Sequence, residues 1–489
     1  MTGRALVVPA APLRRGRFVF RTRGPMRIAL TILLAVASAV SANAQGTRPP
    51  DFDSLAAEAT VWLQEYLRIR TVNPPGNETE GARFLQAVLA RDGIESEIFE
   101  SAPGRGNLYA RLPGTGTRRP MVLLHHIDVV PADSARWKYP PFSGVVAEGA
   151  VWGRGAQDTK GLGIIQLATV VALKRRGIPL SRDLILVANP DEEVDSEGSL
   201  WFTQRKADLV REAEFLLNEG GDNEMGPDGK TISYGLDATE KVPFWLRLTV
   251  LGEPGHGSRP TDGNAALRLS RVLGRIADWQ TPLILTPPAE AYFKALSTRE
   301  TNPMHRTWLA DPAKALHDSV AVAWLTADRY QNAILRNTVS ITVLHGSSST
   351  NVIPAEAWAE LDVRLLPGQP PEAFLEQLKQ VIRDSTVQIT PLSKTRSARS
   401  SPVEGPVLEA FTDAVNAMDP GTLVLPRMLT GYTDSYDYRA LGIDAYGVES
   451  WRSTEAVSAT VHGNNERVPV EEIRFGVEFY YRIVEQLAR

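Results

Sequence analysis

The chain has 489 residues, a formal net charge of -4 at pH 7 and a sequence pI near 6.1. That length allows two domains or one large one, and the charge does not indicate a nucleic-acid-binding surface. The chain contains no Cys, which excludes disulfides, a Cys-based zinc knuckle and a catalytic thiol, so any bound metal must be held by His, Asp or Glu.

The N-terminus has the pattern of an export signal. A positively charged start around Met26-Arg27 is followed by the apolar run IALTILLAVASAV and by the small-x-small triplet Ala42-Asn43-Ala44. We expect residues 1–44 to be a signal peptide with an extended charged region, and the mature chain to be periplasmic or secreted. An uncleaved membrane anchor is the alternative, although the run is shorter than the roughly 20 residues of a comfortable span. Met1 and Met26 both remain candidate start residues.

Apolar patterns after residue 50 predict strands that alternate with helices. Three runs predict buried strands, at 121–126, 183–188 and 214–217. Helical periodicity covers residues 53–70, 80–93 and 160–176, and Gly177 and Pro179 end the last of these. This alternation predicts an α/β domain whose central sheet is mostly parallel and flanked by helices.

Each predicted strand ends in, or is followed by, residue types that can bind metals. His126 ends the first strand and Asp128 comes two residues later, Asp191-Glu192-Glu193 follow the second strand, and Glu219 follows the third. Because the carboxyl ends of parallel strands meet at one edge of the sheet, we expect these side chains to build one site.

The pattern changes near residue 240. Alternating strands at 242–251, 337–344 and 358–365, with a helix at 264–280, predict an inserted α+β module. Helices near 371–384, 404–418 and 470–488 are then expected to return to the first domain. The predicted catalytic domain therefore has two parts, residues 45–240 and 367–489. The predicted inserted module spans residues 241–366.

Three short motifs have a chemical and a structural interpretation. Adjacent Glu192 and Glu193 can divide the tasks of proton acceptor and metal ligand, or form a solvated acidic loop. Asp158, in GRGAQDTKG, can bridge two cations about 3.5–4 Å apart or cap a helix. His462, in VHGNNERVP, gains importance only from the other ligand-type residues, since a lone histidine is usually not a ligand.

The order of these motifs resembles a known family. LLHHIDVV…GRGAQDTKG (123–161), DEE (191–193), NEGG (218–221), GHGSRP (255–260), NVIPAEAWAELDVRLLPG (351–368) and HGNNERV (462–468) resemble the co-catalytic zinc metallopeptidases. That family includes aminoacylase, carboxypeptidases G and S, carnosine dipeptidase and succinyl-diaminopimelate desuccinylase. The resemblance covers nearly the whole mature chain. It implies a zinc-exopeptidase-like catalytic domain with a ferredoxin-like lid and dimerisation domain.

The resemblance also implies a role for each motif residue. It implies ligands for two Zn²⁺ ions, with Co²⁺ or Mn²⁺ as alternatives, at His126, Asp158, Glu193, Glu219 and His462. Many family members carry aspartate at the position of Glu219. Glu192 would be the general base, and Asp128 would orient the His126 ring by accepting its other N–H. Residues two apart in a strand share a face, so His125 is expected to point away from His126 and to pack.

The inserted module is expected to contribute to substrate binding. The equivalent of His256 polarises the scissile carbonyl in the family and commonly reaches the partner subunit's site. Asn337 and Arg364 match positions that contact substrate, and Arg364 suits a carboxylate. A surface salt bridge is the alternative for Arg364. Gly431 begins GYTDSYDY, which matches a substrate loop.

These residues together predict an exported di-zinc hydrolase that cleaves an amide or peptide bond next to a free carboxylate. A carboxypeptidase, a dipeptidase and an N-acyl-amino-acid hydrolase all fit. The alternatives are an inactive metal-dependent solute-binding protein, a scaffold that dimerises through the lid, and an amidase acting on a carbamoyl or ureido bond. We expect a small peptide or N-acyl amino acid as the partner, no nucleic acid, no stable membrane partner and a homodimer through the lid.

Overall fold

The computed structural model describes residue 16 and residues 49–194, 196–392 and 399–489. Apart from Gly16, the predicted signal peptide lies outside these described residues, as do residues 195 and 393–398. No helix among the described residues has the length and apolar character needed to cross a membrane.

The strands and helices have the following bounds. The first strands are β1 Ser96–Ala102, β2 Arg105–Leu112, β3 Met121–His126, β4 Val145–Ala147, β5 Ala150–Trp152, β6 Leu184–Asn189, β7 Phe215–Asn218, β8 Asp222–Met225, β9 Thr231–Glu240 and β10 Val242–Pro243. The remaining strands are β11 Leu246–Leu251, β12 Gly255–His256, β13 Thr338–His345, β14 Val352–Ile353, β15 Glu356–Leu365, β16 Gln388–Pro391, β17 Leu423–Leu429, β18 Asp444–Val448, β19 Arg452–Ser453 and β20 Arg467–Pro469. The α-helices span Phe52–Arg68, Glu78–Arg91, Lys160–Arg176, Glu197–Arg205, Ala265–Ala277, Pro287–Ser297, Pro303–Ala310, Pro312–Ala315, Ser319–Leu325, Arg329–Ile334, Pro371–Ile382, Pro406–Met418, Ser435–Ala440, Glu455–Ser458 and Val470–Ala488.

The central sheet of the described chain has the order β1-β2-β6-β3-β7-β18-β9-β8-β19, with β17 paired to β9. Its middle strands β6, β3, β7 and β18 are parallel, and antiparallel pairs lie toward both edges. This confirms the predicted α/β fold with a mainly parallel centre. All six residues of β3 are buried, as is typical of a strand covered by helices on both faces.

The two faces of the central sheet pack into separate apolar clusters. Met121 and Leu123 of β3 belong to the cluster formed with the long helices, including Lys160–Arg176 and Val470–Ala488. Val122 and Leu124 belong to the cluster on the opposite face. This alternation places successive side chains of β3 on different sides of the sheet, which decides where its two histidines point.

The second sheet is antiparallel and belongs to the inserted module. In the described residues β15 pairs with β11 and β13, β10 continues the β11 side, and β16 pairs with the other edge of β11. The helices Ala265–Ala277 and Pro371–Ile382 share its apolar cluster. The second sheet therefore extends to Pro391, past the sequence-based boundary at residue 366. Pro371–Ile382 packs here, rather than in the first domain as expected, because its buried Phe374 and Leu378 contact this sheet's core.

The sequence analysis did not predict a group of short helices between Pro287 and Ile334 in the inserted module. Their buried side chains, such as Phe293 and Leu325, form an apolar cluster with Leu425 and Met428 of β17. Several begin at a Pro or at an Asn or Asp that caps the first turn. This helical segment thus connects the inserted part of the chain to an edge strand of the central sheet.

Leu325 and Val320 provide a matched test of this packing, since both lie on the helix Ser319–Leu325. Leu325 is fully buried, whereas Val320 is 62% exposed. Because Leu325→Ala opens a cavity in the cluster, we expect it to lower the free energy of unfolding by about 2–5 kcal/mol. Val320→Ala should change it by less than about 0.5 kcal/mol. Urea denaturation of both variants measures the difference, and equal effects would show that this segment does not share the cooperative core.

Candidate functional site

The strand ends bring the ligand-type residues to one edge of the central sheet. β3 lies between β6 and β7 and is parallel to both. His126 ends β3, Glu192 and Glu193 follow β6, and Glu219 follows β7. The three segments therefore meet at the carboxyl edge of the sheet, as the sequence predicted.

Asp158 and His462 complete this group from distant parts of the chain. Asp158 Oδ1 lies 2.9 Å from His126 Nε2, and Asp158 Oδ2 lies 2.9 Å from His462 Nε2. His462 Nε2 is also 3.0 Å from Glu193 Oε2, and His126 Nε2 is 3.7 Å from Glu219 Oε1. Each oxygen of Asp158 thus contacts a different histidine, which is the arrangement that a bridging carboxylate requires.

The spacing of the side-chain atoms suits metal ions. Ligand atoms of His126, Asp158 and Glu193 lie within 4.8 Å of one another, and so do those of His126, Glu192 and Glu219. Ligands at about 2.0–2.2 Å from a common zinc ion lie at such separations. One oxygen each of Glu193 and Glu219 is buried without a hydrogen-bond partner. Since buried polar atoms are rarely left unpaired, these oxygens fit a bound cation.

Burial and like charges disfavour the ionised forms of Glu192, Glu193 and Glu219. Burial, reinforced by Glu219, raises the pKa of Glu192 well above its usual value. Burial also raises the pKa of Glu219 and of Glu193, while nearby histidines oppose the change. The carboxylates of Asp158 and Glu193, which accept hydrogen bonds from the His462 ring, raise the pKa of His462 to about 10. A concentrated positive charge at this position would reverse these shifts, because opposite charges favour ionised carboxylates.

The backbone of the acidic turn is held by Asp128. Its carboxylate accepts hydrogen bonds from the N–H groups of Glu192 and Glu193, both at 3.1 Å, and from Asn73 Nδ2 at 2.9 Å. His126 Nδ1 lies 3.0 Å from the backbone carbonyl oxygen of Asp128 and 3.5 Å from its carboxylate. The predicted contact between His126 and Asp128 therefore uses mainly the carbonyl group, because the carboxylate is occupied by the acidic turn.

The two adjacent histidines occupy different environments. His125 is fully buried, its Nδ1 lies 3.0 Å from Gln166 Oε1, and its ring packs so closely on Gly163 that a Cβ there would overlap it. Burial lowers the pKa of His125 to about 3. The structure thus places His125 in the helix layer and His126 at the site.

Glu466 is a residue of the site region to which sequence reasoning assigned no role. Its carboxylate accepts hydrogen bonds from the backbone N–H groups of Gly155 at 3.1 Å, Gln157 at 2.8 Å and Asp158 at 3.2 Å. It also forms a buried 2.6 Å salt bridge with Arg154. Glu466 therefore joins the loop that carries Asp158 to the loop that carries His462. The only sequence signal was its position in HGNNERV, four residues after His462.

The structure does not bring His256 into hydrogen-bond contact with the candidate ligands. His256 is exposed on the short β12–β14 ribbon, and its Nδ1 accepts a hydrogen bond from the Ser258 N–H at 3.1 Å. The N–H of Gly257 donates to the carbonyl of Asn351 at 2.7 Å. Asn351, the first residue of the NVIP motif, is thus a neighbour of His256 that the sequence reasoning did not select.

Asn337 is buried within the inserted module. Its Oδ1 accepts a hydrogen bond from the N–H of Leu366 at 2.7 Å, and its carbonyl accepts one from the Thr281 hydroxyl at 2.5 Å. The side-chain oxygen is therefore used to hold two segments of the module together. The substrate contact of Asn337 stays a prediction.

Arg364 forms the salt bridge that was the alternative to substrate binding, and one of its nitrogens has no hydrogen-bond partner among the described residues. Its Nε and Nη2 contact the Asp362 carboxylate at 2.7 and 3.1 Å, whereas its Nη1 is buried without a hydrogen-bond partner. The guanidinium lies 5.6 Å from the ring centroid of Tyr432, which follows Gly431. The structure thus brings the GYTDSYDY loop and Arg364 together.

The fold and this cluster together give the chain a candidate metal site at the carboxyl edge of its parallel strands. The model of peptidase family M20/M25/M40 matches residues 122–486, and the chain belongs to this family. It is thereby a hydrolase of amide bonds, of the peptidase and aminoacylase kind.

Individual relatives agree with the family assignment. Aminoacylase-1B of Rattus norvegicus is 30% identical over 434 residues, which cover 87% of this chain and 94% of that protein. The M20 family metallo-carboxypeptidase Sso-CP2 of Sulfolobus solfataricus has a TM-score of 0.66 at 18% identity, covering 88% of this chain and 98% of its own. Human carnosine dipeptidase 1 has a TM-score of 0.63 at 15% identity, and the match covers 90% of this chain and 100% of the dipeptidase chain. The two structural likenesses concern the fold.

Glu466→Gln tests whether this carboxylate holds the ligand loops. The amide keeps the size but directs an N–H group toward N–H donors, so the Asp158 loop should shift. We expect affinity for Zn²⁺ to fall by about 10–100-fold, as when hydrogen-bond partners of metal ligands are removed. Competition with a chromophoric chelator measures this affinity.

Glu472→Gln is the matched control, because Glu472 is equally buried and pairs with Arg452 at 2.7 Å. It should affect stability but leave Zn²⁺ affinity unchanged. If both substitutions weaken Zn²⁺ binding equally, the loss reflects general destabilisation rather than loop positioning.

Proposed function

We propose that the chain is an exported di-zinc metallohydrolase that cleaves an amide or peptide bond adjacent to a free carboxylate. The observation that carries this proposal is the sharing of the Asp158 carboxylate between His126 and His462, with acidic side chains beside each histidine. The N-terminal pattern of residues 1–44 supports export. Aminoacylase-1B, as a relative of 30% identity, supports a substrate of this kind.

The ligand-type residues form two sets that share Asp158. His126 and Glu219 would hold one ion with it, and Glu193 and His462 would hold the other. Nitrogen and carboxylate oxygen ligands suit zinc and would also accept Co²⁺ or Mn²⁺. When bound, such ions polarise a carbonyl and make water acidic near neutral pH.

Glu192 is the group best placed to move protons. It lies within the His126, Glu192 and Glu219 group, and burial raises its pKa. Its backbone N–H is fixed by Asp128 at 3.1 Å. Glu192 would accept a proton from the attacking water and deliver it to the leaving nitrogen, acting first as general base and then as general acid.

Arg364 and His256 would contribute to substrate recognition from the inserted module. The unpartnered Nη1 of Arg364 suits the free carboxylate of the substrate, since a guanidinium binds carboxylates through several donors. His256 would reach the scissile carbonyl through movement of the inserted module or from a second copy of the chain. The exposed edge strand β13, with Leu344 66% exposed, supports pairing of two copies through this module.

Metal removal tests the central claim. We expect the mature chain, residues 45–489, to release amine from dipeptides or N-acyl amino acids when supplied with Zn²⁺. Treatment with EDTA should abolish this release, and added Zn²⁺ should restore it, because the ions polarise the carbonyl and activate the water. Amine release is followed with a colorimetric reagent. Undiminished release from protein shown to be metal-free would contradict a metallohydrolase.

Glu192→Gln tests the assignment of the general base. We expect kcat to fall by about 10²–10⁴-fold, the usual contribution of general acid–base catalysis, with two metal ions still bound. Kinetics and elemental analysis of the same preparation measure both quantities. Glu197→Gln is the control, because Glu197 is exposed and lies on the same connection after β6. If Glu192→Gln keeps most of the activity, another group accepts the proton.

A further inference from the structure

A cavity of about 320 Å³ adjoins the candidate metal site. Asp158 and Glu219 form part of its lining, so the cavity opens directly beside two candidate ligands. The volume is at the lower end of the range of small-molecule pockets. A substituent on the acyl carbon of a substrate bound at the metal site would have access to this space.

The cavity lining, as far as the structure describes it, contains one carboxyl group without a positively charged partner. Arg427 is compensated by Asp222, since its Nη1 lies 2.7 Å from an Asp222 carboxylate oxygen. Glu449 also lines the cavity, and its contact is with the backbone N–H of Ser450 at 2.8 Å. Within the described residues, Glu449 forms no salt bridge with a Lys or Arg. The cavity therefore presents a carboxyl group that has no cation beside it.

The environment of Glu449 agrees with this geometry. Burial raises the pKa of Glu449 to about 8, and the carboxylates of Asp222 and Asp158 act in the same direction. An ammonium group in the cavity would stabilise the ionised form and form a charge-assisted hydrogen bond. An alkyl acyl group in the same space would add no donor to the Ser450 N–H that the Glu449 carboxyl already has and would take this carboxyl out of water, which costs free energy.

We propose that Glu449 makes this cavity a subsite for an ammonium group on the acyl half of the substrate. The inference rests on the proposed function and narrows its substrate class to dipeptides with a free amino terminus. Arg364 would bind the carboxylate of the second residue, so the two ends of a dipeptide would be recognised by opposite charges on the two sides of the scissile bond.

Alanyl-alanine and N-propionyl-alanine provide a matched pair of ligands, since they differ only in the amino group. Titration calorimetry of the Zn²⁺-loaded Glu192→Gln protein avoids turnover. We expect alanyl-alanine to bind about 10–100-fold more tightly, the range of a hydrogen bond to a charged group. Adding Glu449→Gln should remove this preference and leave the affinity for N-propionyl-alanine unchanged.

Glu455→Gln is the control for a general change of charge. Glu455 is exposed on the helix Glu455–Ser458 and does not line the cavity. It should leave the preference for alanyl-alanine intact. A preference that survives Glu449→Gln, equal binding of both ligands, or tighter binding of N-succinyl-alanine would each overturn the proposed subsite.

Hydrolysis by the unsubstituted protein separates this inference from the proposed function. If alanyl-alanine is bound through Glu449 but is not cleaved, the subsite stands and the proposed function fails. The opposite outcome is that N-propionyl-alanine and alanyl-alanine are cleaved with equal kcat/KM, and that Glu449→Gln does not change the ratio of the two kcat/KM values. In that case the proposed function stands and the subsite fails.

Discussion

The two contacts of the Asp158 carboxylate are the interaction on which the candidate site depends. One oxygen meets His126 from the central strand, and the other meets His462 from a loop near the end of the chain. Glu193 and Glu219 then lie beside the two histidines. A shift of either histidine would separate the two halves of the cluster. The catalytic arrangement is therefore a property of the docking between the central sheet and the C-terminal segment.

Buried charged side chains fix the loops of the site by binding backbone groups. Asp128 accepts hydrogen bonds from the acidic turn, and Glu466 accepts three from the loop that carries Asp158. Lys160 is also buried and donates to the carbonyl oxygens of Tyr66 and Ile69. Backbone groups in buried loops need partners, and one charged side chain can satisfy several. This explains why irregular segments can hold ligands with the precision that a metal site needs.

Local patterns in the sequence predicted the strands, but they did not predict most contacts between distant segments. The period of two in β3 predicted that His125 and His126 point to opposite sides, because pleating alone determines this. The contact of Glu466 with Asp158 joins residues 308 positions apart, and no local pattern reports such a distance. Asn337 was selected because it matches a substrate-contacting position of the resembled family, but its Oδ1 accepts a hydrogen bond from the N–H of Leu366, which the sequence pattern does not report. The helices from Pro303 to Ile334 were not predicted because each has eight residues or fewer, which is too short to show a clear helical period.

The sequence separation of His462 from the other ligand-type residues has a consequence for when the site can form. During synthesis, His462 emerges well after Asp158 and Glu219, so the two halves of the ligand cluster cannot meet until the chain has been made as far as His462. Metal binding to a site that is absent from the unfolded chain is coupled to folding. Metal ions would then be bound in the compartment in which folding finishes. The metal content of that compartment would decide which ions the folded chain carries.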